Sequence, residues 1–159
     1  MIDPSTFATA GAPVRRVEHE VVVAASPQDA WEAWVDPRRV VNFLGAEACI
    51  DLRIGGRYEI LFLLDAPEGQ RGAEGCRLLS YLPGEMLAFS WNAPPHLSEI
   101  RLLHAWVVVT FRGLPEGPTR VRLVQAGFGE GPMWDEDVAD FTASWGRVLA
   151  RCRDYLGAA

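Results

Sequence analysis

The side chains best suited to acid–base, nucleophilic or metal chemistry are few and widely spaced in this chain. They are the histidines and cysteines His19, His96, His104, Cys49, Cys76 and Cys152. The sequence contains no CxxC pair, no HExxH helix motif, no GxSxG turn and no phosphate-binding glycine loop. His19 and His96 have no Cys, Asp or Glu at metal-ligand spacing and are interpreted as surface groups. The sequence therefore predicts no metal site and no cofactor, and it identifies no catalytic residue.

Gln125 is the polar residue in the most informative position. It alternates in phase with Val121 and Leu123, so we expect its amide to point toward the buried face of a strand. A buried amide needs hydrogen-bond partners. Those partners are either protein groups or a bound molecule, and the sequence leaves both interpretations open.

Aromatic residues supply the other candidate site residues. The chain has six Trp, seven Phe and three Tyr, which is a heavy aromatic load for one core. Strand alternation directs several of these rings to one face, where they either fill the core or line a cavity. The candidate ligand-binding residues, with Gln125, are Tyr58, Phe62, Trp91, Phe111, Gln125, Phe141 and Trp145.

Trp106 is expected to face away from the core. In a strand over 102–112, His104 and Trp106 have the parity opposite to the apolar residues. An outward Trp in a β-branched run favours a subunit contact, so we predict a homodimer through the Trp106 face. The alternative is that the N-terminal arm, with Phe7 and Val14, covers the ring within one chain.

A long helix over 134–156 must position several of these rings. Its apolar residues are spaced 4-3-4-3-4-3, as Trp134, Val138, Phe141, Trp145, Val148, Cys152 and Tyr155. That spacing keeps one stripe on a single side for about six turns. Acids crowd the first turns, among them Asp137, and arginines the last, which suits the helix dipole. We place the acids mostly on the side opposite the stripe and expect a sheet to cover the stripe.

The rest of the chain predicts that sheet. A strand over 17–25 is followed by a helix that begins at the Ser26-Pro27 cap and stops at Asp36-Pro37, and then by a second short helix over 38–44. Strand patterns follow over 46–52, 57–64, 76–82, 87–91, 102–112 and 119–127. We predict an α+β protein in which about six or seven antiparallel strands, in β-α-α-β-α order, wrap around the last helix. Residues 1–16 are a loose arm, and 17–157 form one domain.

Composition excludes several classes of function. The net charge of -6 argues against a nucleic-acid partner, which requires a basic face. No apolar run approaches the 18 residues that suggest a membrane span. Three cysteines, odd in number and set among apolar neighbours, favour reduced thiols in a cytoplasmic protein.

Five motifs in order resemble one family. They are VVVAASPQDAWEAWVDP, IDLRIGGRYEI, LPGEMLAFSW, TRVRLVQAGF and SWGRVLARCRDYL. The chain resembles the helix-grip superfamily of birch-pollen-allergen and START-like proteins (SRPBCC) over about residues 17–156. Within it, the chain is similar to bacterial relatives of the activator of the heat-shock protein 90 ATPase.

The resemblance implies a helix-grip fold and three candidate functions. The first is binding of a small hydrophobic or aromatic molecule between the sheet and the last helix. The second is a cofactor-free enzyme of the cyclase or hydrolase kind that uses the same cavity, with Gln125 orienting the substrate. The third is contact with a chaperone. The family often has His where this chain has Gln125 and Trp where it has Phe43, so a proton-transfer role does not carry over to Gln125.

Overall fold

The computed structural model describes residues 15–159, which form seven strands and three helices. In chain order they are β1 (Val17–Val23), α1 (Pro27–Val35), α2 (Pro37–Val40), β2 (Glu47–Ile50), β3 (Tyr58–Leu61), β4 (Leu78–Leu82), β5 (Met86–Trp91), β6 (Ala105–Gly113), β7 (Thr119–Ala126) and α3 (Pro132–Leu156). The predicted α+β class and element order are confirmed. Residues 1–14, which hold most of the predicted arm with Phe7 and Val14, lie outside the described residues.

Hydrogen bonds between antiparallel strands build one curved surface. Five strands pair in the order β1-β7-β6-β5-β4, and β2 and β3 form a separate hairpin. The hairpin joins the larger sheet through backbone bonds such as Leu78 N to Gly56 O (2.8 Å) and Tyr58 N to Cys76 O (2.9 Å). All seven strands therefore contribute to the surface that faces the core.

Both short helices begin at the predicted caps, and α1 ends as predicted. Helix α2 ends at Val40 rather than at 44, because the chain continues in turns with bonds such as Phe43 N to Val40 O (3.1 Å). The Ser26 hydroxyl accepts a hydrogen bond from the Asp29 backbone N–H at 3.1 Å, and Pro27 occupies the first turn of α1. Asp36 ends α1, and its carboxylate accepts from the Arg38 N–H at 2.8 Å to start α2. The Trp31 indole N–H, near the middle of α1, donates to Met86 O at 2.9 Å. This bond fixes α1 against the start of β5.

Helix α3 lays its aromatic stripe on the sheet. Phe141, Trp145, Val148 and Cys152 are buried. The end of the helix is tied to β1 by the bond from Ala24 N to Gly157 O (2.9 Å). Among the described residues, none of the helices combines the length and apolarity that a membrane crossing needs.

The placement of Asp137 on the polar side of α3 is wrong. Asp137 is 1% exposed, because it lies four residues before Phe141 and so falls on the same buried side. Burial raises the pKa of Asp137 to about 6, the nearby Asp140 adds to the rise, and His96 opposes it. Because acids dominate the first turns of α3, the sequence pattern did not indicate that this one carboxyl group is buried.

The predicted start of the sixth strand is also wrong. β6 begins at Ala105 rather than at 102, because residues 94–103 form consecutive turns with backbone bonds such as Leu103 N to Ile100 O (2.9 Å). Leu102 is therefore 85% exposed, and His104 precedes the strand. Trp106 lies within β6 and faces outward, as predicted.

Candidate ligand-binding cavity

A cavity of about 230 Å³ lies between the middle of α3 and the last residues of β5. Two segments complete its wall: residues 62–77, between β3 and β4, and residues 92–104, between β5 and β6. We call these segments the β3–β4 loop and the β5–β6 loop. The exposed side chains of Phe62 and Leu63 stand at its edge, so the cavity reaches the protein surface.

One wall of the cavity, from Phe62 at its edge to Trp145 of α3, is aromatic. The Trp91 ring, at the end of β5, lies 5.2 Å from the Trp145 ring of α3, measured between centroids. Phe141 stacks on Trp145 at 6.2 Å, and Phe62 meets Trp91 edge-on at 6.3 Å. Aromatic pairs at these distances add to the energy of simple burial. The four rings therefore form a continuous apolar surface at the helix–sheet boundary.

Four of the seven candidate residues line this cavity, and three do not. Phe62, Trp91, Phe141 and Trp145 contribute to its wall. Tyr58 and Phe111 are buried in the core away from it. The Tyr58 hydroxyl donates to Trp34 O at 2.9 Å, and burial raises its pKa far above the usual value. Ligand binding by the wall residues stays a prediction.

Gln125 does not line the cavity but supports its wall from behind. Its side-chain oxygen accepts a hydrogen bond from the Trp145 indole N–H at 2.7 Å, and Gln125 is fully buried. Its amide nitrogen has no hydrogen-bond partner among the described residues. Of the two interpretations left open by the sequence, the internal hydrogen bond is therefore present, and its partner is a cavity residue.

Arg101 is a cavity residue that the sequence did not indicate. Its guanidinium donates to Gly69 O and Gly72 O, each at 2.8 Å, and to Ala93 O. The Glu74 carboxylate lies 3.7 Å from it. Burial lowers the pKa of Arg101, and Glu74 partly offsets this effect. One buried cation thus fastens the β3–β4 loop to the β5–β6 loop, and no local sequence pattern predicts partners so far apart.

The charged residues of the cavity wall are arginines. Arg101 is engaged by backbone carbonyls, and Arg71 donates through Nε to Ala66 O at 2.8 Å. In the part of the chain that the structure describes, no Asp, Glu, His, Cys or Tyr lines the cavity. The wall thus offers apolar contact with a few polar side chains, among them Gln70 at its exposed rim, half-buried Ser144 and buried Asn92. Among these residues it offers no side chain suited to general acid–base catalysis.

The family model described as Activator of Hsp90 ATPase homolog 1-like protein matches residues 24–157. That range includes every described element except β1, and it contains the whole cavity. No curated protein shows significant similarity to the chain.

Solved structures share the fold at low sequence identity. Protein MLL2253 from Mesorhizobium loti superposes with a TM-score of 0.71 at 21% identity, covering 89% of this chain and 96% of the other. The HSP90 activator PFC0360w from Plasmodium falciparum gives 0.69 at 17% identity, covering 91% and 97%. The Aha1 dimer from Colwellia psychrerythraea gives 0.68 at 14% identity, covering 89% and 96%.

Proposed function

The chain belongs to the family of Activator of Hsp90 ATPase homolog 1-like proteins, and on that premise we propose that it binds a small hydrophobic or aromatic molecule in the cavity between its sheet and α3. The observation that carries this proposal is the cavity itself, with its wall of four aromatic rings. A dry apolar cavity of about 150 Å³ is large enough to bind benzene. The 230 Å³ of this cavity favour a larger, two-ring molecule.

Energetics are consistent with useful affinity. A ring system that buries on the order of 200 Å² of apolar surface gains about 5 kcal/mol from transfer out of water. Contacts with Trp91 and Trp145 add to this gain, because the rings are already packed in place and lose little freedom on binding. The polar rim then fixes the orientation of the ligand.

The other two candidate functions have less support. Catalysis requires a titratable group in the cavity, and the described wall contains arginines alone among charged residues. A chaperone-contacting protein with no ligand is expected to have a filled interior, whereas this interior is open. The similarity to a Plasmodium HSP90 activator keeps chaperone contact as the outcome to test if no ligand is found.

The cavity can be tested by filling it. Ser144 is half-buried on the cavity wall, and its neighbour Ala143 is exposed on the outer side of α3. We expect indole, 2-naphthol or decanoate to raise the melting temperature of the wild type. Ser144→Phe should weaken binding of the best probe by at least about tenfold, while Ala143→Phe binds as the wild type does. The proposal is wrong if no probe shifts the wild type, or if both variants bind equally well.

We further propose that two copies associate through the Trp106 face. Trp106 is 46% exposed on β6, and its ring lies directly against the Cα of Gly127, where any side chain would collide with it. The described residues therefore cover one side of the ring and leave the other uncovered. The structure of an Aha1 dimer from Colwellia supports association in this family.

We propose a cytoplasmic location because the three cysteines are free thiols. Cys76 and Cys152 are buried free thiols, and burial raises the pKa of each to about 12. Cys49 is a free thiol at the surface. Unpaired thiols suit a reducing compartment.

A further inference from the structure

The β5–β6 loop meets the first half of α3 at a cluster of three potential metal ligands. The Nε2 atom of His96 lies 2.8 Å from Glu136 Oε1 and 3.8 Å from Asp140 Oδ2. All three ligand atoms lie within 4.8 Å of one another. Glu136 and Asp140 are four residues apart, so both carboxylates project from the same side of the helix. The sequence did not indicate this cluster, because His96 is 40 residues from its partner.

These distances fit a small cation. Zinc bonds to histidine nitrogen and carboxylate oxygen are about 2.0–2.2 Å long, so neighbouring ligand atoms in a tetrahedral site lie about 3.4 Å apart. The 2.8 Å separation of His96 Nε2 and Glu136 Oε1 is a hydrogen bond that would open by about 0.6 Å around an ion, and the 3.8 Å separation from Asp140 Oδ2 would close by about 0.4 Å. The side chains of His96, Glu136 and Asp140 are 58%, 52% and 42% exposed, so they have room to rotate toward an ion.

The excess of negative charge around the cluster also favours a bound cation. Among the described residues, His96 is the only basic group that pairs with Glu136 or Asp140, since Arg15 pairs with Asp135 instead. Asp137, on the same turn, is 1% exposed, and its Oδ1 atom has no hydrogen-bond partner. The carboxylates of Glu136, Asp137 and Asp140 thus share one histidine, and the Oδ1 atom of Asp137 is buried without a partner.

We propose that His96, Glu136 and Asp140 bind one divalent transition-metal ion of the zinc type. The histidine nitrogen favours zinc over magnesium or calcium, which prefer all-oxygen sites. Three protein ligands leave a fourth position for water. The ion would join the β5–β6 loop to α3 beside Pro94 and Pro95, which line the cavity. Metal binding would therefore hold one wall of the cavity in place, whichever molecule the cavity takes.

Calorimetric titration with Zn²⁺ tests the site. Cys49 is an exposed thiol, and thiolates are good zinc ligands, so the titrations use a Cys49→Ser background to remove this competing group. We expect one Zn²⁺ per chain, and at least about tenfold weaker binding in His96→Gln and in Asp140→Asn. Matched controls are His19→Gln, on β1, and Asp154→Asn, near the end of α3, which should bind as the background does. A tenfold excess of Mg²⁺ should not compete.

Two further readouts make the outcome decisive. With Co²⁺ as the probe, visible absorption bands of a nitrogen-liganded ion should appear in the background chain and disappear in His96→Gln. Hydrogen exchange of amides 96–103 should slow on adding Zn²⁺ in the background chain alone. The proposal is overturned if the background chain shows no saturable Zn²⁺ binding, or if His96→Gln binds as tightly as the control variants. Unchanged exchange in a zinc-bound chain overturns the coupling to the loop.

Discussion

The hydrogen bond from the Trp145 indole to Gln125 is the contact on which the cavity wall depends at the scale of single residues. It joins the centre of α3 to β7 and fixes the orientation of the ring that Trp91 and Phe141 pack against. Both partners are buried, so neither can turn to water if the other is lost.

Gln125→Leu should therefore destabilise the protein. The Trp145 N–H would be left buried without an acceptor, at a cost of about 1–3 kcal/mol in the free energy of unfolding. Urea denaturation followed by circular dichroism measures this change. The same substitution at Gln70, an exposed amide at the cavity rim, should cost less than about 0.5 kcal/mol. Equal effects of the two substitutions would show that the indole bond contributes nothing.

Strand alternation was enough to predict that Gln125 points inward, but not what it contacts. Its phase with Val121 and Leu123 is a local property that the sequence displays directly. Its partner lies on another element, 20 residues away. For the same reason the sequence could not separate Phe62 and Trp91, which line the cavity, from Tyr58 and Phe111, which fill the core.

At the scale of elements, Arg101 determines how the two cavity loops meet. The planar guanidinium reaches carbonyls of both loops at once, at Gly69, Gly72 and Ala93. A lysine ammonium carries its three N–H donors on one nitrogen, so it cannot match three carbonyls spread over two segments.

We expect Arg101→Lys to loosen both loops although charge is conserved. The free energy of unfolding should fall by about 1.5–3 kcal/mol, the range for hydrogen bonds to a charged group. Hydrogen exchange should become faster at amides 69–75 and 93–101. Arg112→Lys, on the exposed end of β6, serves as the matched control and should change neither quantity. An Arg101→Lys variant as stable as the control would contradict the role assigned to the guanidinium.

The helices were more predictable than the loops because their signals are local. Ser26 and Asp36 act on backbone groups two or three residues away, so their effect is written in adjacent sequence. The β5–β6 loop is held instead by carbonyls of the β3–β4 loop. Its turns therefore extend past 102, the predicted start of β6. His104 precedes the strand, so the outward strand position predicted for it does not apply.

At the scale of the whole molecule, the sheet and α3 bury each other's apolar residues. The outer face of β6 lies on the opposite side of the sheet and is not covered by α3. The interior residues of β6 and β7 are buried beneath the helix, whereas Trp106 points the other way. A half-exposed ring on a paired strand is a natural site for a second copy in two-fold symmetry.

Trp106→Glu should convert a dimer into a folded monomer. A charged side chain on each copy would place two carboxylates at the two-fold contact, where desolvation and repulsion both oppose association. Light scattering at high micromolar concentration measures the mass. Leu82→Glu, at an exposed position on β4, is the matched control and should leave the dimer intact. A wild type that is already monomeric would refute this proposal.

The aromatic wall gives this protein an optical property of its own. The ring centroids of Trp91 and Trp145 are 5.2 Å apart, and the ring planes form a 45° angle. The Phe89 ring lies 5.4 Å from the Trp91 ring, and the Tyr58 ring lies 4.2 Å from the Phe89 ring. Two indoles this close and mutually tilted couple their electronic transitions, so they should produce a paired circular-dichroism signal of opposite signs. Excitation energy absorbed by Tyr58 should also pass along the rings to the indoles. Because both indoles lie on the cavity wall, a bound ligand should alter this circular-dichroism signal directly, without any label attached to the chain.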